Sequence, residues 1–226
     1  MDTTNKKSKY LELAFADKNT ESFLQVMKVS DEETYKHSVD VAIFVSMCLE
    51  EMKNANECEY TEEECVEITK GALLHDVGKI FLPFGIQNST KKLDIYMREV
   101  MKSHPLLGYI VIKDSSLSEI VKNIVLFHHE NADGTGYPSN FETGSCYNEE
   151  NLPAYVWIVS YADRFNAMTE YRNFKNSKTY SEAWDELNSL RINGKIPYKY
   201  ASFYLKVIRK LDIFNGDLKN ENKTTD

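Results

Sequence analysis

Five histidines occur in 226 residues, at positions 37, 75, 104, 128 and 129. Each stands near the end of an expected helix or beside a second group able to bind a metal. Glu33 precedes His37 by four residues, and positions i and i+4 share a helical face, so carboxylate and imidazole reach the same place. His75 is followed by Asp76. His104 precedes Pro105. His128 and His129 are adjacent and run into Glu130. Asp163 falls within "SYADRFNAMTEYR", an apolar stretch read as helix. Taken singly, each residue has a plain structural role open to it. A lone histidine can cap a helix or pack in a core. Asp163 can be a buried, hydrogen-bonded carboxylate, and Glu33 suits the acidic first turn of a helix. Next to the paired histidines lies "DGTGYP" (133–138), turn chemistry whose glycines permit tight φ > 0 geometry and whose proline stiffens the exit.

The elements that must position these groups read as helices. Only 9 glycines and 5 prolines are present, and alternating β-branched runs are scarce. Residues 20–29 suggest a short helix. Residues 31–53 carry apolar positions at 39, 42, 43, 45, 46–47 and 49, a broad helical stripe. Thr61 and Glu64 form a capping-box signature opening a helix through Leu74, which stops at Gly78. A helix over 93–103 ends before Pro105, and another covers 106–112. "LSEIVKNIVLFHH" places Leu117, Ile120, Val121, Ile124, Val125 and His128 on one face. Asn151 is expected to cap a helix with Pro153 in its first turn, running to about Met168. Thr179 and Glu182 form a second capping box, and a last helix covers about 198–212. This is a single all-α domain without repeats, with an N-terminal extension over 1–29, a core over 30–215 and a polar tail over 216–226.

Composition narrows the function. The hydrophobic share of 42% and charged share of 27% are those of a globular protein. A net charge of −8 argues against nucleic-acid polymers and anionic membranes as partners. Any phosphate substrate must be drawn by local cations or metals. Cysteines at 48, 58, 65 and 146 form no C-x-x-C pair, so a zinc ribbon or redox dithiol is not expected, and a reduced, cytoplasmic setting fits. The opening "MDTTNKKSKYLELAF" lacks a signal-peptide core, and "VAIFVSMCL" is too short to span a bilayer.

"HDVGK" (75–79), "HPLLG" (104–108), "HHENADGTGYP" (128–138) and "ADRFNAMT" (162–169), in this order, closely resemble the HD-GYP family over about residues 30 to 180. This is a branch of the HD-domain metal-dependent phosphohydrolases, known for cleaving cyclic dinucleotides in bacterial second-messenger signalling. The resemblance implies an HD-type helical domain whose metal ligands are His37, His75, Asp76, His104, His128, His129 and Asp163, with Glu33 in the place of a third-metal ligand. It implies roles at the substrate phosphate for Lys79, Arg172 and Lys175, and a place near the substrate for Tyr137. Two departures stand out. The family usually has Asp where Asn166 stands, and the stretch 83–93, "PFGIQNSTKKL", lacks the usual glycine-rich turn. Both bear on substrate fit more than on metal binding.

Eight candidate ligands are too many for one ion, which takes four to six. Neighbouring helical residues point about 100° apart, so the His-Asp and His-His pairs suit two ions or three, with Asp76 as a bridge and catalytic residue. Imidazole and carboxylate without thiolate suit Fe or Mn, with Ni or Zn as alternatives. Two ions about 3.5–4 Å apart lower the pKa of a bridging water and neutralise non-bridging phosphate oxygens. The expected activity is hydrolysis of a cyclic dinucleotide, first cyclic di-GMP and second 3′,3′-cyclic GMP-AMP, to the linear dinucleotide and onward to mononucleotides. Two alternatives stay open: a phosphohydrolase of another nucleotide, and a non-catalytic signalling module that docks on a cyclase or sensor.

Overall fold

The computed structural model describes residues 8–87, 93–138, 147–170 and 177–210. Every described element is helical. The order is α1 (Lys9–Ala16), α2 (Lys18–Ser30), α3 (Glu32–Asn54), α4 (Glu62–Leu74), a 3-10 helix (Val77–Phe81), α5 (Phe84–Gln87), α6 (Ile95–Met101), α7 (His104–Ile112), α8 (Glu119–Phe127), α9 (Ala154–Thr169) and α10 (Tyr180–Ile192). A further helical stretch covers 201–210.

Local chemistry sets these boundaries. Asp31 caps α3 by accepting from the Glu33 and Thr34 amides. Thr61 and Glu64 close a reciprocal capping box on α4, and Thr179 and Glu182 do so on α10. α9 differs from expectation. Pro153 occupies its capping position, with no side-chain hydrogen bond to the helix. Asn151 instead accepts from the Asn148 amide within the preceding turn, because a short-range partner was nearer than the helix end.

α4 runs through the middle, packed against α1, α3, α8 and α9. Its buried residues Cys65, Ile68, Ala72, Leu73 and Leu74 join one large core. On α3 the buried face holds Thr34, His37, Ser38, Val41, Phe44, Val45, Cys48 and Met52, while Ile43 is exposed. Ala42, Ser46 and Leu49 are buried too, and Val39 and Met47 pack partly covered against the core, so the expected stripe holds except at Ile43, and the buried face is broader than expected. His37 lies within this buried face, carried inward by the residues below it. α8 buries Val121, Ile124 and Val125 as expected and adds Phe127, while Ile120 is partly covered.

The segment before residue 30 shares this core. Tyr10, Leu11, Ala14, Leu24 and Met27 are buried in it. Leu11, Leu24 and Met27 each contribute about 1.5–3 kcal/mol, taken as an upper bound. Cys58 and Cys65 face one another as free thiols, Sγ to Sγ 3.9 Å. Cys146 lies outside the described residues.

A close approach of two helical segments sits beside the histidines. A Cβ built on Gly78 would lie 1.9 Å from the His104 carbonyl oxygen and 2.5 Å from the Gly108 nitrogen. The "G" of HDVGK therefore serves close backbone packing between the 3-10 helix and α7.

Candidate metal centre

Three histidines sit at helix ends. α4 ends at Leu74, and the His75 ring donates from Nδ1 to the Ala72 carbonyl at 2.8 Å. α8 ends at Phe127, and His128 Nδ1 lies 3.0 Å from Val125 O and 3.2 Å from Ile124 O. α6 ends at Met101, whose carbonyl accepts from His104 Nδ1 at 2.8 Å. The last carbonyls of a helix have no amide partner of their own, so each ring satisfies a group the helix leaves open. A proton held on Nδ1 leaves Nε2 as a bare lone pair. His37 reaches the same state differently: its Nδ1 lies 2.6 Å from Asn166 Oδ1. Asn166 thus fixes that ring through its acceptor oxygen.

These lone pairs converge. Asp76, His104, His128 and His129 bring ligand atoms within 4.8 Å of one another, and His37, His75 and Asp163 form a second such group. The two carboxylates span both. Asp76 Oδ1 is 3.1 Å from His104 Nε2, while its Oδ2 is 3.4 Å from His75 Nε2 and 3.7 Å from His37 Nε2. Asp163 Oδ1 is 3.0 Å from His37 Nε2, and its Oδ2 is 3.7 Å from His129 Nδ1. The arrangement is poor as a purely protein network. His104 Nε2 and His128 Nε2 face each other at 3.2 Å, acceptor to acceptor. His75 Nε2 and Asp76 Oδ1 are buried without a properly aligned hydrogen bond. In folded proteins buried polar groups are as a rule satisfied, so the donor set fits cations at its centre.

Electrostatics point the same way. Burial is the largest influence on Asp76 and pushes its carboxyl up, but Lys79 and the surrounding histidines outweigh it and hold the group well below the usual carboxylate range. Asp163 behaves alike: burial opposes, and His37, His129 and His75 win. Burial, then His75 and His104, push His128 down to about 3. Burial, followed by His128, pushes His129 well below the ordinary histidine value. Ionised carboxylates beside neutral His128 and His129 are the protonation states that metal coordination requires. His75 differs: burial pushes it down, but Asp76 and Asp163 outweigh this and raise it, so that ring gives up a proton when a cation enters.

The other expected residues divide. Lys79 Nζ donates to Asp76 Oδ2 at 2.5 Å. The Tyr137 ring lies against His129 at a tilt of 32°, ring centroids 4.8 Å apart. Glu33 is exposed and stands outside both ligand groups. Arg172 and Lys175 lie outside the described residues.

A cleft of about 640 Å³ opens beside His129, Asp163 and Tyr137, within the range of small-ligand sites, roughly 300–1,000 Å³. Its wall includes Lys102, Glu99 and Arg164, none of which the sequence reading singled out. Arg164 donates to Ser160 Oγ, Glu130 O and Asn131 Oδ1, fastening the DGTGYP loop to α9. Lys195 holds the loop's other side through Asp133 Oδ2 at 2.7 Å and Thr135 Oγ1 at 2.6 Å. Within the loop Gly134 has φ +75°, whereas at Gly136 a Cβ would meet the Glu130 Cα at 2.4 Å. One glycine serves the turn and the other a close approach.

The HD domain family model matches residues 34–168. A cyclic di-GMP phosphodiesterase of Thermotoga maritima is 32% identical over 198 residues, covering 87% of this chain and 49% of that protein. One of Pseudomonas aeruginosa is 31% identical, covering 70% of this chain and 35% of that protein. A 3′3′-cGAMP-specific phosphodiesterase of Vibrio cholerae is 31% identical over 56% of this chain and 23% of its own length. The chain thus spans about half or less of these relatives. Among solved structures, the HD domain of Listeria monocytogenes PgpH in complex with cyclic-di-AMP aligns with a TM-score of 0.62 at 16% identity, over 85% of this chain and 96% of that one. An HDG"Y"P protein of Bdellovibrio bacteriovorus aligns at 0.60 with 19% identity, over 92% of this chain and 75% of that one. At these identities the structures speak for the fold.

Proposed function

Because the chain belongs to the HD domain family, we propose that it is a metal-dependent phosphodiesterase hydrolysing a cyclic dinucleotide, with cyclic di-GMP as first substrate and 3′,3′-cyclic GMP-AMP as second. The observation that carries the reading is the pair of ligand groups spanned by Asp76 and Asp163, open to a cleft of ligand size. Named activities of relatives support the substrate class.

In this reading Asp76, His104, His128 and His129 hold one ion and His37, His75 and Asp163 another, with Fe or Mn foremost. Glu33 is the remaining carboxylate for a third. When bound, the ions supply a hydroxide nucleophile at neutral pH and neutralise the phosphate's non-bridging oxygens. The protein's own share is placement. Asn166, Ala72, Met101 and Val125 hold the imidazoles in one tautomer. Lys79, beside Asp76, offers its ammonium to the scissile phosphate. Tyr137 packs over His129 where the loop closes the cleft, and Arg172 and Lys175 add cations to the substrate. Water adds to phosphorus with loss of a proton, the bond from phosphorus to the ribose oxygen breaks, that oxygen takes up a proton to become a hydroxyl, and a linear dinucleotide with a terminal phosphate results. The catalytic unit takes in residues 30–215, with 1–29 as an extension whose described part packs on it and 216–226 as a tail. Free thiols at Cys48, Cys58 and Cys65 suit a reducing compartment such as the cytoplasm. Among the described residues no helix is long and apolar enough to cross a membrane.

The test is anaerobic purification, elemental analysis and product chromatography with cyclic di-GMP, 3′,3′-cyclic GMP-AMP and cyclic di-AMP. Two or more ions per chain with conversion of the first substrate to the linear dinucleotide is the expected result. A fully loaded protein that turns over none of the three overturns it.

A further inference from the structure

The cleft has cations of unequal availability. Arg164 is committed to Ser160 Oγ at 3.2 Å, Glu130 O at 3.3 Å and Asn131 Oδ1 at 3.0 Å. Lys79 is held by Asp76 Oδ2 at 2.5 Å. Lys102 is different. It follows the last residue of α6, a helix with no buried residues, and stands two positions ahead of His104. Among the described residues its Nζ pairs with Glu99 Oε1, at 2.6 Å, and both side chains are substantially exposed, at 40% and 54%. Exposed pairs one helical turn apart are weak, because water screens them and two long side chains lose freedom to form them. Such a pair opens readily when a stronger anion arrives.

A cyclic dinucleotide carries two phosphodiesters across one macrocycle. With one at the histidines, the other projects into the cleft, where the chain's net charge of −8 would repel it. Resting on the reading above, we propose that Lys102 holds the phosphate that is not being cleaved, and that Glu99 is its counterion in the free protein, displaced when substrate enters. Glu99 then does two things. It keeps Lys102 oriented along the cleft wall, and it adds an electrostatic barrier that the dianionic substrate must overcome.

The experiment compares Lys102→Ala, Lys102→Arg and Glu99→Gln in the Mn-loaded full chain. The readouts are metal content, Kd for the bis-phosphorothioate analogue of cyclic di-GMP, whose sulfurs slow hydrolysis, and KM for cyclic di-GMP beside bis(p-nitrophenyl) phosphate, which has one diester. Expected are a roughly tenfold weaker Kd and higher KM for Lys102→Ala, a smaller loss on bis(p-nitrophenyl) phosphate, and substantial rescue in Lys102→Arg. Glu99→Gln should tighten Kd severalfold. The opposite signs decide the matter, because a merely structural ion pair would be lost equally in either variant. Equal signs, or affinities unchanged in both, overturn the proposal. If the wild type binds the analogue but cleaves no cyclic dinucleotide, hydrolysis is refuted while the signs still judge Lys102. If the wild type does not bind at all, both are refuted.

Discussion

Gly78→Ala tests whether the ligand geometry is set by backbone packing. The added Cβ would stand 1.9 Å from His104 O, 2.5 Å from Gly108 N and 2.9 Å from His104 C. These are backbone atoms and cannot rotate away. Restoring ordinary contact at 3.4 Å requires α7 to retreat by roughly 1.5 Å. His104 is the residue struck, and its Nε2 faces Asp76 Oδ1 at 3.1 Å. Metal sites tolerate deviations of only about 0.2 Å in ligand distance, so a shift of this size removes His104 from its group. Overpacking of this kind costs about 1–3 kcal/mol, and contact with backbone puts Gly78→Ala at the upper end. For a chain of this length that lowers Tm by about 6–12 °C. Gly85→Ala is the control, since a Cβ there meets nothing within 4 Å and removes backbone freedom from α5. Calorimetry and elemental analysis on Mn-loaded protein provide the assay. A Gly78→Ala protein with wild-type Tm and full metal content would refute the reasoning.

Other consequences are as direct. Asp76→Ala removes the carboxylate whose two oxygens face both ligand groups, so metal content and activity should fall together; activity retained at the wild-type level would sink the assignment. Asn166→Ala leaves His37 Nδ1 without its acceptor and should weaken metal binding by about 10–100-fold, read by competition with a chelator, whereas Asn166→Asp should restore it; an unchanged affinity in the alanine variant would remove Asn166 from the site. Asp17 shows the sign of acid sensitivity. Burial pushes its carboxyl up, but the Thr20 amide and hydroxyl and Lys70 more than offset this and leave it below the usual value of 3.8. Its contribution is present above about pH 4 and lost as pH falls through the lowered folded value. Urea midpoints at pH 6 and pH 3 should therefore differ less in Asp17→Asn than in wild type, and equal differences would dismiss the contribution.

What could be read in the sequence was local or strictly ordered. The capping boxes at Thr61 and Thr179 need only four residues each, and both form. The histidine positions were legible because few occur and each has a ligand-capable neighbour or a helix end. What escaped depends on partners distant in the chain. Lys195 reaches Asp133 across 62 positions, and Arg164 reaches Asn131 across 33. A lysine in a loop and an arginine in a helix carry no mark of such targets. Lys102 had a nearer signal, two residues before His104, but it reads as an ordinary cation at a helix end. The misplaced cap at Asn151 shows the same limit from the other side: its side-chain oxygen accepts from the Asn148 amide of the neighbouring turn rather than from an amide of α9.

The histidine-capped ends of α4 and α8 have one more effect. Aligned peptide dipoles leave roughly half an elementary negative charge at a helix C-terminus. Two such ends meet at His75 and His128, so the backbone alone directs about one negative charge at the ligand groups, in addition to Asp76 and Asp163. No side-chain substitution removes that field. It favours cations and disfavours anions, so on the reading proposed above metal is expected to bind first and phosphate second. Protein stripped of its ions should therefore be a poor binder of cyclic dinucleotides even with every side chain in place.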